Sequence, residues 1–371
     1  MQIKTITCHD VYNHGASLQA YALSKYLTTL GHNVEIINYI PDYLEHYVLW
    51  GHVSQRFDRP LLREAYCVIK FPGRLNTRLT DKRKKAFDRF TKEFLPLTSR
   101  YSSYEELCAD PPVADLFIAG SDQIWNTSFS NGKDPAFYLQ FVESRAVKAS
   151  YAASFATDTI ASELQDQISA WLKTFDSISV REKSGLSILE QLGVKKGKRV
   201  LDPVFLLSKE EWESMIPASP LQSTYMLYYG FDGNEEVELA ASRFAHENGC
   251  KLVNTLGGRY SDIDCREAGP LEFLALLRDA DTVLSSSFHA TAFSLIFEKN
   301  FQIFKRESAI NSRMLDLLRT VGLEEHLVDN YGFKRIETDF STPRRLLSYE
   351  IQNSKDYLQS ILSLAEARVG H

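Results

Sequence analysis

The chain has 371 residues, with 44% hydrophobic and 24% charged residues. These proportions exclude a disordered, collagenous or disulfide-framework chain and give a prior of two domains, or three. A net charge of −6 gives no global argument for nucleic acid. Aromatic residues make up 12% of the chain, which suits a well-filled core and equally a cleft that stacks on ring-shaped ligands.

Five cysteines, Cys8, Cys67, Cys108, Cys250 and Cys265, are scattered without metal-ligand spacing. They read as reduced thiols of a cytoplasmic protein. The N-terminus MQIKTITCHD lacks a basic-then-apolar signal region, and the uncharged stretch Thr282–Phe297 is too short to span a bilayer. The expectation is a soluble protein with no metal centre.

In chain order, an apolar run around Ile3 and Ile6 is broken at Asn13-His14-Gly15. Residues 16–30 carry helical spacing, closed by Gly31, and 34–39 form a second strand. Strand, helix and strand within about 40 residues is a βαβ unit. Segment 51–100 holds 13 Lys/Arg against 5 Asp/Glu. Its helix, 81–94, sets Lys82-Arg83-Lys84-Lys85 beside Phe87, Phe90 and Phe94. A solvated amphipathic helix is the plain reading; a surface for anionic lipid or a phosphate-bearing substrate is the sharper one.

A strand at 115–119 ends in Gly120-Ser121-Asp122-Gln123, and 148–156 reads as another. A helix at 161–175, a strand at 177–180 ending in Arg181-Glu182-Lys183, and a helix to Leu192 follow. Val200-Leu201-Asp202-Pro203 ends the first half. Pro217 and Pro220 mark a linker. The second half repeats the alternation: strands at 225–229, 251–254, 282–285 and 301–304, helices at 235–248, 270–279 and 290–297, and a helical tail at 344–369. The fold class expected is α/β, two doubly wound Rossmann-like domains facing across a cleft. The division expected is 1–205 with a basic insertion at 44–100, then 223–343, then 344–371.

In such sheets ligands sit at the carboxyl ends of strands. The polar groups there are Asn13, His14, Ser121, Asp122, Gln123, Arg181, Glu182, Lys183, Asp202, Ser285, Ser286, Ser287, His289 and Lys305, with Arg306 and Arg313 close behind. His289 stands where a strand meets a helix start, a place that favours phosphate. Asp262-Ile263-Asp264 matches the D-x-D of metal-dependent sugar transferases, but in a polar stretch it reads as a loop. Trp125 reads as a core anchor or a sugar-stacking platform.

Five motifs taken together resemble the polysaccharide pyruvyl transferase family: N-H-G-A-S-L-Q-A-Y-A-L (13–23), F-I-A-G-S-D-Q-I-W-N (117–126), V-R-E-K-S-G (180–185), L-D-P-V (201–204) and S-F-H-A-T-A-F-S-L-I-F (287–297). The resemblance implies a glycosyltransferase-B-like arrangement, with the first domain on the acceptor side, the second on the donor phosphate side, and a final helix crossing back. It implies transfer of a pyruvyl group from phosphoenolpyruvate, as co-substrate and with no further cofactor, to two sugar hydroxyls. The acceptor would be a lipid- or nucleotide-linked sugar of surface polysaccharide assembly, met at the inner membrane face.

By similarity, His289 is the catalytic or phosphate-contacting histidine and Arg181 the donor-binding arginine. Asp122 is the candidate for orienting or deprotonating the sugar hydroxyl. Lys305, Arg313 and Ser287 complete the expected donor site, and Asn13, Gln123 and Trp125 the acceptor site. Where many members carry Arg-Leu-His, this chain has Ser287-Phe288-His289, so Lys305 or Arg313 is expected to supply the missing cation. Tyr12, Trp125, Tyr229 and Phe288 are the candidate stacking rings. The alternatives are a nucleotide-sugar-dependent glycosyltransferase on the same architecture and a non-catalytic carbohydrate-binding relative.

Overall fold

The computed structural model describes residues 1–45, 69–70, 72, 75–143, 145–195, 197–219, 221–231, 233–305, 311–329 and 331–369, with backbone alone at 311–312. Arg306, Cys67 and the basic stretch 51–68 lie outside the described residues.

The first unit opens with β1 (Gln2–Ile6), α1 (His14–Thr29) and β2 (Asn33–Tyr39). α2 (Lys82–Phe94) follows, then β3 (Leu97–Tyr101), α3 (Tyr104–Ala109), β4 (Leu116–Ala119) and β5 (Val147–Ser150). Its five strands are all parallel, in the order β3-β2-β1-β4-β5. α4 (Ser162–Leu172), β6 (Ile178–Val180), α5 (Lys183–Gln191) and β7 (Gly197–Arg199) extend it, with β6 and β7 paired in a small parallel sheet. The strand expected over 148–156 stops at Ser150, because Ala152 and Ala156 take left-handed backbone conformations, and Glu182 holds residues 154–156. The Glu182 carboxylate accepts from Ser154 Oγ and from the amides of Phe155 and Ala156.

After α6 (Lys209–Glu213) the second unit runs β8 (Tyr225–Tyr229), α7 (Glu235–Glu247), β9 (Lys251–Asn254), β10 (Ile263–Asp264), α8 (Pro270–Asp279) and β11 (Thr282–Ser285). α9 (Phe288–Ile296), β12 (Asn300–Phe304), α10 (Asn311–Val321) and β13 (Leu327–Val328) complete it. Its parallel sheet has the order β10-β9-β8-β11-β12-β13. β8 and β11 are buried along their whole length, as expected of parallel strands covered by helices on both faces. Asp262 and Asp264 are engaged locally. Asp262 accepts from Leu252 N and His246, and Asp264 pairs with Arg266.

The tail is one long helix, α11 (Ser341–Val369). Its Tyr357, Leu358, Ile361, Leu362 and Ala365 pack into the first unit with Ile3, Leu23, Leu116 and Val147. Tyr357 donates to Ser150 O at 2.9 Å, and Arg368 pairs with Asp176 at 2.7 Å.

Candidate active site

Two helix N-termini meet in the cleft. Asn13 caps α1, its side chain accepting from the amides of Gly15 and Ala16. Ser287 occupies the cap position of α9 but makes no side-chain capping bond, so the first amides of that helix donate none to the side chain of their own cap residue. Ser287 itself is shaped by the strand end. Its amide donates to Ser285 Oγ at 2.9 Å, and Ser285 Oγ donates to Tyr229 O at 2.7 Å. Between these helices lies a polar cavity lined by Asn13, Asp122, Gln123, Phe231, Ser286, Ser287, Phe288, His289, Arg313 and Met314.

Beneath the cavity runs a buried chain of alternating charge. Arg313 Nη1 lies 3.7 Å from Asp122 Oδ1. Asp122 Oδ1 takes Arg181 Nη2 at 2.9 Å, Arg181 Nη1 reaches Asp202 Oδ2 at 2.5 Å, and Asp202 Oδ2 lies 3.5 Å from His289 Nε2. Burial alone would push the Asp122 carboxyl up, but Arg181, His289 and Arg313 hold it below the ordinary carboxylate range. The same contest leaves Asp202 far below that range, with His289 and then Arg181 as the opposing charges. Burial works against the Arg181 charge, and Asp122 and Asp202 more than restore it. Alternation decides the outcome: each buried ion faces partners of opposite sign, which offsets desolvation.

The structure brings together Asn13, Asp122, Gln123, Ser287, His289 and Arg313. Three expected site residues are placed otherwise. Arg181 supports the cavity from below rather than lining it. Its terminal nitrogens are taken by two carboxylates, and its guanidinium lies 4.5 Å from the Phe288 ring centroid. Lys305 is on the surface, 3.5 Å from Asp329, and Arg313 is among the residues that line the cavity. Trp125 has no exposed face. It stacks on Tyr138 at 5.6 Å, meets Phe155 and Phe175, and donates Nε1–H to Phe137 O.

The expected stacking rings also divide. Tyr229 is buried with its hydroxyl on His14 Nδ1 at 3.0 Å. Tyr12 turns towards α2, its hydroxyl on Asp88. Phe288 lines the cavity but is largely covered. The exposed ring on the cavity wall is Phe231, 37% exposed and set edge-on against Tyr229 at 4.8 Å. Its position just past the end of β8 is the signal that would have found it, since the same strand-end rule selects the other site residues.

Gly15 has a role that motif reading alone does not reveal. A Cβ placed on it would lie 2.0 Å from His289 Nδ1. Glycine is therefore the residue that lets a histidine of the second unit lie against the first helix of the other. His14, beside it, crosses the same boundary. It stacks on Phe273 at 4.5 Å and bonds Ala268 O through Nε2 at 3.0 Å. Burial, with the Arg83 charge second, pushes its imidazole down to about 3.

The basic helix α2 faces inward more than its composition suggests. Arg83 donates to the carbonyls of Tyr12, Thr255 and Arg266, while Lys82 pairs with Glu267 and Arg89 with Glu272. Among the described residues no cluster of three or more His, Cys, Asp or Glu is arranged to hold a metal ion. Among them, too, no helix is long and apolar enough to cross a membrane.

The family model described as polysaccharide pyruvyl transferase matches residues 13–306, a span that includes the cavity's residues on both units except Arg313 and Met314. The chain belongs to the polysaccharide pyruvyl transferase family. No curated protein matches it. Among solved structures, a putative UDP-N-acetylglucosamine 2-epimerase from Listeria monocytogenes aligns over 99% of this chain and 91% of its own, at 10% identity and a TM-score of 0.51. The spinosyn forosaminyltransferase SpnP aligns over 99% of each chain at 14% identity and a TM-score of 0.45. A Staphylococcus aureus MnaA–UDP structure covers 95% of this chain and 88% of its own, at 12% identity and a TM-score of 0.49. At its identity the likeness to the Listeria structure concerns the fold alone, two Rossmann-like domains in a glycosyltransferase-B-like arrangement.

Proposed function

We propose that the cavity transfers the pyruvyl unit of phosphoenolpyruvate to a pair of sugar hydroxyls, forming a pyruvate ketal. The observation that carries this reading is the cavity's size and lining together. It encloses about 140 Å³ between two helix N-termini, with Arg313 and His289 on its wall. Drug-sized ligands need roughly 300–1,000 Å³. A three-carbon phosphate suits such a space better than a nucleotide sugar, and the uncapped amides of α9 suit its anionic groups.

Ketal formation needs a proton delivered to the methylene carbon of the donor. Positive charge then develops at C2, where a first sugar hydroxyl adds and loses its proton. The C2–O bond to phosphate breaks, and the second hydroxyl takes that position. One hydroxyl proton is thereby balanced by the new methyl group and the other leaves with phosphate. His289, on the cavity wall, would deliver the proton, and Arg313 with the α9 amides would neutralise the departing phosphate. Asp122, kept ionised by Arg181, would orient the acceptor hydroxyl, with Asn13 and Gln123 beside it. The exposed face of Phe231 offers the apolar side of the sugar a platform.

The test is phosphate release and a ketal methyl signal in NMR, with phosphoenolpyruvate and a panel of lipid- and nucleotide-linked sugars. His289→Ala should abolish both. Calorimetry in which nucleotide sugars bind and phosphoenolpyruvate does not would favour the glycosyltransferase reading. Peripheral attachment through 51–100 is a separate proposal, tested by co-sedimentation with anionic vesicles across a salt series.

A further inference from the structure

Asp202 has no exposed surface and meets two cations or potential cations, Arg181 at 2.5 Å and His289 Nε2 at 3.5 Å. His289 Nε2 is buried and makes no hydrogen bond, so this carboxylate is the polar group it faces. An ionised carboxylate only accepts, and a neutral imidazole has one N–H and one lone pair. A lone pair on Nε2 would confront carboxylate lone pairs away from water, whereas a proton there meets an acceptor. The other ring nitrogen, Nδ1, lies against Gly15, whose missing Cβ makes room for the ring, and His289 lines the cavity. The His289 ring and then the Arg181 guanidinium keep the Asp202 carboxylate ionised against its burial.

We propose that Asp202 is the positioning residue of this site: it holds the proton of neutral His289 on Nε2, so that Nδ1 is the nitrogen that exchanges a proton with the substrate. The inference rests on the cavity being the reaction site, though its test needs no substrate. In the donor step the Nδ1–H bond of the imidazolium breaks and a C–H bond forms at the methylene carbon. The enol π pair becomes that C–H bond and leaves positive charge at C2. The ring returns to its neutral form with its remaining proton still on Nε2, facing Asp202.

The experiment is two-bond ¹H–¹⁵N correlation NMR of the full chain labelled with ¹⁵N-histidine, recorded alkaline of the imidazole titrations. A His289→Gln spectrum identifies the signal among the nine histidines. The expected result is a pyridine-type Nδ1 and a pyrrole-type Nε2. In Asp202→Asn, whose amide can present either N–H or oxygen, the two shifts should move towards each other. A pyrrole-type Nδ1 in the unaltered protein overturns the proposal, as does an Asp202→Asn spectrum with the His289 shifts unchanged. If Asp202→Asn does not fold, the unaltered protein's spectrum decides. Failure of phosphoenolpyruvate to bind alongside a pyridine-type Nδ1 would remove the donor assignment and leave the orientation supported.

Discussion

At the scale of single residues, the site depends on a glycine and on a buried guanidinium. Gly15→Ala puts a methyl group where the His289 ring stands, and neither α1 nor α9 can move freely because both are packed into the core. A displacement of about 1 Å at a reacting group can cost on the order of 10²-fold. We expect at least that loss in turnover, read from phosphate release, with the far-ultraviolet circular dichroism retained. Arg181→Met leaves Asp122 and Asp202 facing each other without their shared cation. Breaking a buried pair costs about 3–5 kcal/mol, so the urea midpoint should fall accordingly. Arg181→Lys should not restore it, because one ammonium cannot span two carboxylates as the planar fork does. The place of Asp122 on the cavity wall was legible from its strand-end position, and that of Asp202 beside His289 was not. The sequence marks both as polar groups after a strand, and only the folded chain sets one on each side of Arg181.

At the scale of elements, α1 and α2 join the two units, and their joints are chemically specific. His14 is neutral in its aromatic box, pushed down to about 3 by burial and Arg83. Below the ordinary histidine value near 6.5 the unfolded chain binds a proton that the native state refuses. Stability is therefore full above about pH 6.5 and falls as the pH drops from there towards 3, by roughly 4–5 kcal/mol from this residue. Replacing it with His14→Gln should flatten the melting temperature's dependence on pH across that window, whatever its effect at pH 7. His9, His32 and His326 are also held low by burial, and Asp122 and Asp202 are held low by the charges around them, so these groups keep part of the slope. Most element positions follow from apolar spacing and glycine punctuation, as at Tyr225–Tyr229 and Lys251–Asn254. The short edge strands β3, β10 and β13 do not. Their few residues carry no periodic signal, and they are strands because a neighbour's open edge offers hydrogen bonds.

For the whole molecule, α11 ties the end of the chain to its beginning. It covers Ile3, Leu23, Leu27, Leu116 and Val147. Ending the chain before Ser341 should expose that apolar face and give insoluble or dye-binding protein, measured by sedimentation and hydrophobic-dye fluorescence. The single change Arg368→Ala, at a half-buried pair, should shift the midpoint by about 1 kcal/mol. The contrast between the two outcomes separates burial from charge as the helix's holding force.

The sequence by itself determined the alternation of strands and helices, the doubly wound class, and the set of polar residues at strand ends, because these follow from local periodicity and turn chemistry. The ordered motifs carried the family. Tertiary structure decided which of those polar groups meet. It sent Lys305 to the surface, sealed Trp125 in an aromatic stack, turned Arg181 into a buried support, and exposed Phe231 on the cavity wall. The physical reason is that proximity between residues of different units depends on how the two sheets dock. That docking is set by His14 in its pocket, Gly15 against His289, and α2 clasping the carbonyls of the second unit, contacts between residues far apart in the chain.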